Sequence, residues 1–476
     1  MPELLLALDV GTTSARVLLI DASGAVKAQA RGPVETAYPA PGLAEQDAEA
    51  VWRLARDLIE RVLPGANIAA SDLAAVGVTT QRASLVVWDR RTGAPAGPMV
   101  LWNDLRGVER SRALAAAGFP SWPQTPACKL DPDLLRSGGG SLVWGGLESY
   151  LVFRLSGGAA HLTDLSNAWL SGYLDHGAKA WNPRILEHQG LDPAIFPTIV
   201  DSFGMLASTA TSVLGASVPI AAILGDQQAG LFGHGSIEAG GWKASFGTSG
   251  TVIASTGPGP EWPHRTMPPE VLAMGGGRTL YCVEGMVITA GAAIDWLCRG
   301  LGLFDDAQAV YAAARSVHSS GGVTFRPSLQ GLGAPHARFE ARGLLSGFSL
   351  ATRKEHLARA VLEGLAFRVR EIVAAMGSMV GDEAPLRIDG GMTADPVFPQ
   401  ILADCLGRPV MRHAIREATA FGAALAAGLG VGQIREAELA SRASHDETFQ
   451  PRLDVQQAAS SFDDWVAATM IQARDQ

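Results

Sequence analysis

The segment Leu4–Asp21, LLLALDVGTTSARVLLID, reads as apolar strand, polar turn, apolar strand, and Trp242–Ser255, WKASFGTSGTVIAS, repeats that pattern in the other half of the chain. A hairpin with a Gly-Thr tip that occurs once in each half limits the chain to folds made of two related, β-led halves. Around the two hairpins, short strands alternate with helical periodicity. Val51, Leu54, Leu58 and Val62 space a helix over Asp47–Leu63, and Ala74–Thr79 is a buried strand. Val86–Asp89 is a strand with a turn after it, and Ser141–Leu155 has helical spacing. The run Ser217–Leu224 (SVPIAAIL) is a buried strand, Lys354–Met376 a long amphipathic helix, and Leu386–Asp389 a strand that runs into Gly390-Gly391. Small residues over Glu417–Gly428 predict a helix that others approach closely. This alternation predicts an α/β protein with two mixed sheets.

A chain of 476 residues exceeds what one core usually organises, so two domains are expected. The glycines at 233, 235, 240 and 241 place the division at 1–238 and 239–476. A formal charge of −9 supplies no basic stripe for phosphate backbones, which argues against nucleic acid and for small-molecule ligands. Cys128, Cys282, Cys298 and Cys405 are scattered, with no metal-ligand spacing and no disulfide framework. No apolar stretch is long enough to span a membrane, and the N-terminus lacks a basic leader. These features predict a soluble, cytoplasmic protein, for which a homodimer is the prior expectation.

Five segments concentrate the chemistry. Asp9-Val-Gly-Thr-Thr-Ser-Ala-Arg16 puts a carboxylate, a glycine, three hydroxyls and a guanidinium around one turn. Such a turn can cradle an anion on its backbone N–H groups, or can simply satisfy its own hydroxyls as a hairpin tip. It is not a Walker loop, because no Gly-Lys-Ser/Thr and no helix follow. Gly247-Thr248-Ser249-Gly250 offers the same device in the second half, and Asp389-Gly390-Gly391-Met392 is a strand end with no side chains to obstruct a flat ligand. Asp226-Gln227-Gln228 ends the buried run before it. An Asp there is either a helix cap or a carboxylate that orients and deprotonates an attacking hydroxyl. Thr80-Gln81-Arg82 and Trp102-Asn103-Asp104-Leu105-Arg106 combine polar forks with an aromatic face, which suits a polyhydroxylated ligand; core packing is the alternative for the tryptophan.

Taken together, these segments resemble the FGGY carbohydrate kinases, and the glycerol kinase branch most closely. The resemblance extends in order through PGLAEQDAEAVW, GVTTQRASLVVWDRRTGAP, LWNDLR, GDQQAGLFGHG, FGTSGT, AGAAIDWL, GLGAPH and RIDGGMTADPVFPQILADCLGRPV, across nearly the whole chain. It implies two actin-like, ribonuclease H-like domains of the sugar kinase and heat-shock ATPase superfamily, with a central cleft for MgATP and a small polyol or sugar. By the same resemblance Asp226 is the catalytic base, and Asp9 with Asp226 are the carboxylates near Mg²⁺. Thr12, Thr13, Ser14 and Arg16 form the first phosphate turn, and Gly247 and Thr248 the second. Gly291, Asp295, Gly391, Met392 and Asp395 fall on the nucleotide. Arg82, Trp102, Asp226 and Gln227 fall on the acceptor, and Gln81 and Asn103, read from their polar segments, are placed beside them.

Departures concern the acceptor above all. Ala83 stands where glycerol kinases carry a Glu that accepts from glycerol, and Thr251 where they carry a Phe. The Tyr expected before Cys128-Lys-Leu is missing, and the Gly-Thr-Ser-Gly turn looks like that of ketopentose kinases. Asp295 replaces a Gln, Asp395 an Asn, and Ser217 an Arg tied to sugar-bisphosphate inhibition. A site stripped of its hydroxyl acceptor loses discrimination, so a tetrose or pentose, as ketose or polyol, is expected in place of glycerol. The rival readings are a silent sugar-binding regulator and an actin-like ATPase on the same fold.

Overall fold

A computed structural model describes residues 3–119, 121–138, 140–381 and 384–470. The chain divides into two compact units. The first comprises Met1–Gly235, Val271–Leu280 and Thr419–Arg442; the second comprises Ser236–Glu270, Tyr281–Ala418 and Ala443–Gln476.

The first unit is organised by six strands: β1 (Leu4–Val10), β2 (Ser14–Asp21), β3 (Val26–Pro33), β4 (Leu73–Thr80), β5 (Phe203–Ser208) and β6 (Pro219–Gly225). They lie in the order β5-β6-β4-β1-β2-β3. The β1–β2–β3 meander is antiparallel, whereas β1, β4 and β6 run parallel. Nearly every residue of β1 and β6 is buried, which explains their unbroken apolar runs. Helix α1 (Ala48–Gly65) is capped by Asp47, whose Oδ1 accepts from the N–H groups of Glu49 and Ala50, and it buries Val51, Trp52, Ala55, Leu58, Ile59 and Val62.

The sequence expectation of a helix over the whole of Ser141–Leu155 is corrected. Leu142–Gly145 is a strand that pairs antiparallel with Val86–Asp89, and the helix covers only Leu147–Leu155. The apolar Leu-Val-Trp run fits either period, and the adjacent glycines at 145 and 146 give the chain a place to change from one to the other.

The second unit repeats the hairpin theme with β7 (Trp242–Phe246) and β8 (Gly250–Gly257), antiparallel through the Gly247–Ser249 turn. These two strands share a seven-stranded sheet with β9 (Glu270–Gly275), β10 (Arg278–Val287), β11 (Leu386–Asp389), β12 (Val410–His413) and β13 (His445–Phe449), in the order β9-β10-β8-β7-β11-β12-β13, of which Val271–Leu280 is grouped with the first unit. As β1 does with β4, β7 pairs parallel with a later strand, β11, so both halves share hairpin plus parallel neighbour. The long helix Lys354–Met376 buries Val361, Leu365, Val369 and Ile372. Among the described residues no helix is long and apolar enough to cross a membrane.

Candidate functional site

In the first unit the parallel register brings the chemistry to one sheet edge. Asp9 is level with Thr79 on β4, and Thr79 is level with Leu224 on β6, so Asp9 and the Gly225–Asp226 step leave the sheet at the same end. Two strand spacings separate them, roughly 10 Å. Asp9 is 1% exposed, and its Oδ2 accepts from Nη1 of Arg16 at 3.0 Å, its cross-strand neighbour. The predicted metal carboxylate and the predicted phosphate-binding guanidinium are therefore an ion pair.

The turn at 11–13 is tied to the acceptor residues through one hydroxyl. Thr12 Oγ1 donates to Gln81 Oε1 at 3.0 Å and accepts from Trp102 Nε1 at 3.0 Å. Gln46 locks the arrangement: its Nε2 donates to the Thr12 carbonyl at 2.6 Å, and its Oε1 accepts from Gln81 Nε2 at 3.1 Å. Gln46 was not singled out from sequence, because an isolated glutamine just before a helix carries no local signal. Of the other turn residues, Thr13 is exposed and Ser14 is buried at the start of β2.

Helix α2 (Asp226–Gly233) follows β6 directly, with Gly225 at the cap position and Asp226 as its first residue. Asp226 Oδ1 accepts from the Gln227 N–H at 2.8 Å and lies 3.5 Å from Nε of Arg82. Arg82 is only 9% exposed, whereas Asp226 is 28% exposed, so the guanidinium is the buried support and the carboxylate the accessible member. A side chain at 225 would strike Arg82 Cδ at 2.5 Å, so Gly225 is what allows Arg82 to lie across the strand end. Ser166 Oγ accepts the Gly225 N–H at 3.1 Å and fixes the same step from below.

Trp102 and Asn103 ride on a loop anchored by Asp104. Its buried carboxylate accepts from the Ala44 N–H at 2.7 Å and from the Arg106 N–H, Nε and Nη2. The Asn103 Oδ1 is buried and has no hydrogen-bond partner among the described residues. That leaves an acceptor suited to a ligand hydroxyl.

In the second unit Gly247, Thr248 and Gly291, three of the predicted nucleotide residues, are held together. The carbonyls of Gly247 and Thr248 accept N–H groups of Gly291 (3.0 Å) and of Ala290 and Ala292 (both 3.1 Å). This docks the second turn onto helix Gly291–Asp295. A Cβ on Gly291 would meet the Gly247 carbonyl at 2.5 Å, so only glycine permits that contact. Gly391 is exposed and open on its Cα side, while Met392 is buried, with its carbonyl accepting from the Tyr311 hydroxyl at 3.5 Å. Asp295 is exposed beside Arg299. Asp395 is engaged within its own unit, with Oδ1 accepting from Arg315 Nη2 at 2.6 Å and from the Val397 N–H at 2.9 Å.

The comparisons with known proteins agree with one another. Models of the N-terminal and C-terminal domains of the FGGY family of carbohydrate kinases match residues 4–233 and 242–431. A glycerol kinase of Gloeobacter violaceus is 39% identical over 462 residues, 94% of this chain and 92% of that protein. Among solved structures, the glycerol kinase of Plasmodium falciparum with ADP covers 98% of this chain and 97% of its own with a TM-score of 0.87 at 24% identity. A xylulose kinase from Rhodospirillum rubrum covers 99% and 100% with a TM-score of 0.84, also at 24% identity. At such identities the solved structures speak to the fold, the two-domain actin-like one, while the family models and the curated relative speak to kinship. The chain belongs to the FGGY family of carbohydrate kinases.

Proposed function

We propose that this kinase phosphorylates a primary hydroxyl of a tetrose or pentose, as ketose or polyol, in preference to glycerol, with Asp226 as the base. The chain is a phosphotransferase with an alcohol acceptor, and the reaction is ATP-dependent phosphorylation of a polyol or sugar. One observation carries the role of Asp226: a partly exposed carboxylate at the first position of a helix, backed by a buried Arg82 and level with the Thr12–Gln81–Trp102 cluster at one sheet edge. A carboxylate so placed orients an acceptor hydroxyl and takes its proton as the phosphoryl group arrives. Because phosphoryl transfer passes through a loose transition state, the gain comes from position and charge neutralisation more than from basicity. The backbone turns at Gly11–Thr13 and Gly247–Ser249 are suited to phosphate oxygens, and Trp102 to the C–H face of the acceptor.

The residues fit a magnesium ion. Mg²⁺ in kinases takes one or two carboxylates and otherwise phosphate and water oxygens, and the described residues offer single carboxylates at Asp9 and Asp226 with no acidic or histidine cluster. Bound with the nucleotide, the ion would neutralise phosphate charge; Asp9, with Asp226 as the second carboxylate, would hold it.

The preference against glycerol rests on Ala83, whose side chain ends at Cβ where the resemblance expects a glutamate, and on Thr251 in place of a phenylalanine. A coupled ADP-release screen over glycerol, erythritol, ribulose and xylulose tests it. Expected is a kcat/KM for one of the larger acceptors at least about tenfold above that for glycerol; high kcat/KM with glycerol alone refutes the preference.

A further inference from the structure

Lys129 ends the short helix Pro126–Lys129 and is 5% exposed, a rare position for an ammonium group. Its Nζ donates to the carbonyls of Ala83 and Leu101, each at 2.8 Å. Ala83 follows Arg82, the residue behind Asp226, and Leu101 precedes Trp102, the residue on Thr12. Ala83 is moreover left-handed, with φ of 58°, a conformation that is unfavourable for a non-glycine residue and persists only when its surroundings enforce it. The roots of the two segments are joined by paired backbone hydrogen bonds between Leu85 and Val100, at 2.8 and 2.9 Å. Lys129 closes the other end, at the chain neighbours of Arg82 and Trp102.

Its own chemistry fits a tether. Burial pulls its pKa down to about 7, against the opposing pull of the Asp104 carboxylate, with the Arg106 guanidinium and the Cys128 thiol as the other groups that face it. A neutral amine still has two N–H donors, and there are two carbonyls to serve. A methionine of similar length would fill the same space without the desolvation cost, so packing alone does not account for a lysine there.

We propose that Lys129 is a positioning residue of the acceptor site: by holding the Ala83 and Leu101 carbonyls together it sets Arg82 against Asp226 and Trp102 against Thr12. The proposal rests on the assignment of Arg82 and Trp102 to the acceptor. It predicts damage confined to that ligand.

Steady-state kinetics on the full chain test it, beginning with the wild type and the best acceptor of the screen. No wild-type turnover with any polyol or sugar overturns the functional reading, and the tether with it. Given turnover, Lys129→Met is expected to raise the acceptor KM about tenfold or more, the effect of one or two lost hydrogen bonds to buried carbonyls, and to lower kcat, with the nucleotide KM within about twofold. Lys129→Ala is expected to regain the wild-type acceptor KM when ethylamine, short enough for the gap left beyond Cβ, is added, because the amine restores the donors; this second variant decides the matter if Lys129→Met does not fold. An unchanged acceptor KM, acceptor and nucleotide constants that worsen together, or no recovery with amine overturns the tether while leaving the kinase reading intact.

Discussion

Asp226 lies one residue inside its helix, with Gly225 at the cap, and that offset determines what its carboxylate can do. A capping carboxylate is occupied by N–H groups two and three residues ahead; Asp226 instead takes the adjacent Gln227 N–H and faces Arg82. Asp226→Asn keeps the size and that backbone contact but removes the proposed base. Its kcat is expected to fall by about 10²–10⁴ while nucleotide affinity, read by calorimetry with ADP, stays within about twofold. A second carboxyl governs stability. Glu148 is buried, and burial pushes its pKa up to about 7, partly opposed by the hydrogen bond from the Thr163 hydroxyl. The unfolded chain loses this proton near pH 4.5, whereas the folded protein keeps it to about 7. In that window the unfolded state binds fewer protons, so this group makes stability fall as pH rises, by up to about 1.4 kcal/mol per pH unit. Glu148→Gln is expected to remove that slope from urea denaturation measured at several pH values between 4.5 and 7; an unaltered slope shows that Glu148 titrates normally.

At the scale of elements, the helix Ala418–Gly430 is selected for smallness rather than for amphipathicity. It is lined by buried alanines, and its glycines touch the first unit's framework through backbone. A Cβ on Gly422 would lie 1.8 Å from the Ala229 carbonyl of α2, and one on Gly77 of β4 would lie 2.2 Å from the Ala423 carbonyl. Neither neighbour is a flexible side chain that can swing aside. Gly422→Ala and Gly77→Ala are each expected to cost roughly 3 kcal/mol or more in urea denaturation. Gly65→Ala at the exposed end of α1, where a Cβ meets nothing within 4 Å, should cost nothing and can gain up to about 1 kcal/mol. The composition of this helix was legible in EATAFGAALAAG, and so was its need for close neighbours. Which neighbours they are was not, because α2 and β4 are remote in sequence and a run of small residues names no partner.

For the molecule as a whole, a chain cut after residue 238 should lack the helix that covers α2 and β4, since Thr419–Arg442 belongs to the first compact unit. Residues 1–238 alone are expected to lose cooperative urea unfolding and to bind a hydrophobic dye; cooperative unfolding like that of the full chain would show that the helix is dispensable. The strands of the two hairpins, those near Ala74–Thr79, Val86–Asp89, Ser217–Leu224 and Leu386–Asp389, the two Gly-Thr turns, and Asp9, Asp226, Gln81, Arg82 and Trp102 at strand ends or on loops were readable from the sequence, whereas Phe203–Ser208, Glu270–Gly275, Arg278–Val287, Val410–His413 and His445–Phe449 were not. Burial on both faces writes an apolar run, and a polar interruption marks where it stops. Ser141–Leu155 was misread because a short apolar run satisfies both periods. Lys129, Gln46 and Ser166 were invisible for a different reason: each acts through hydrogen bonds to residues distant in the chain, and such contacts leave no periodicity behind. By itself, then, the sequence determined the two β-led halves and which residue types stand at their turns, which depend on local propensity and pattern. Only the tertiary structure decided which side chains share a hydroxyl, which carboxylate is buried and which is partly exposed, and what holds them there, because these depend on packing between segments that the chain order keeps apart.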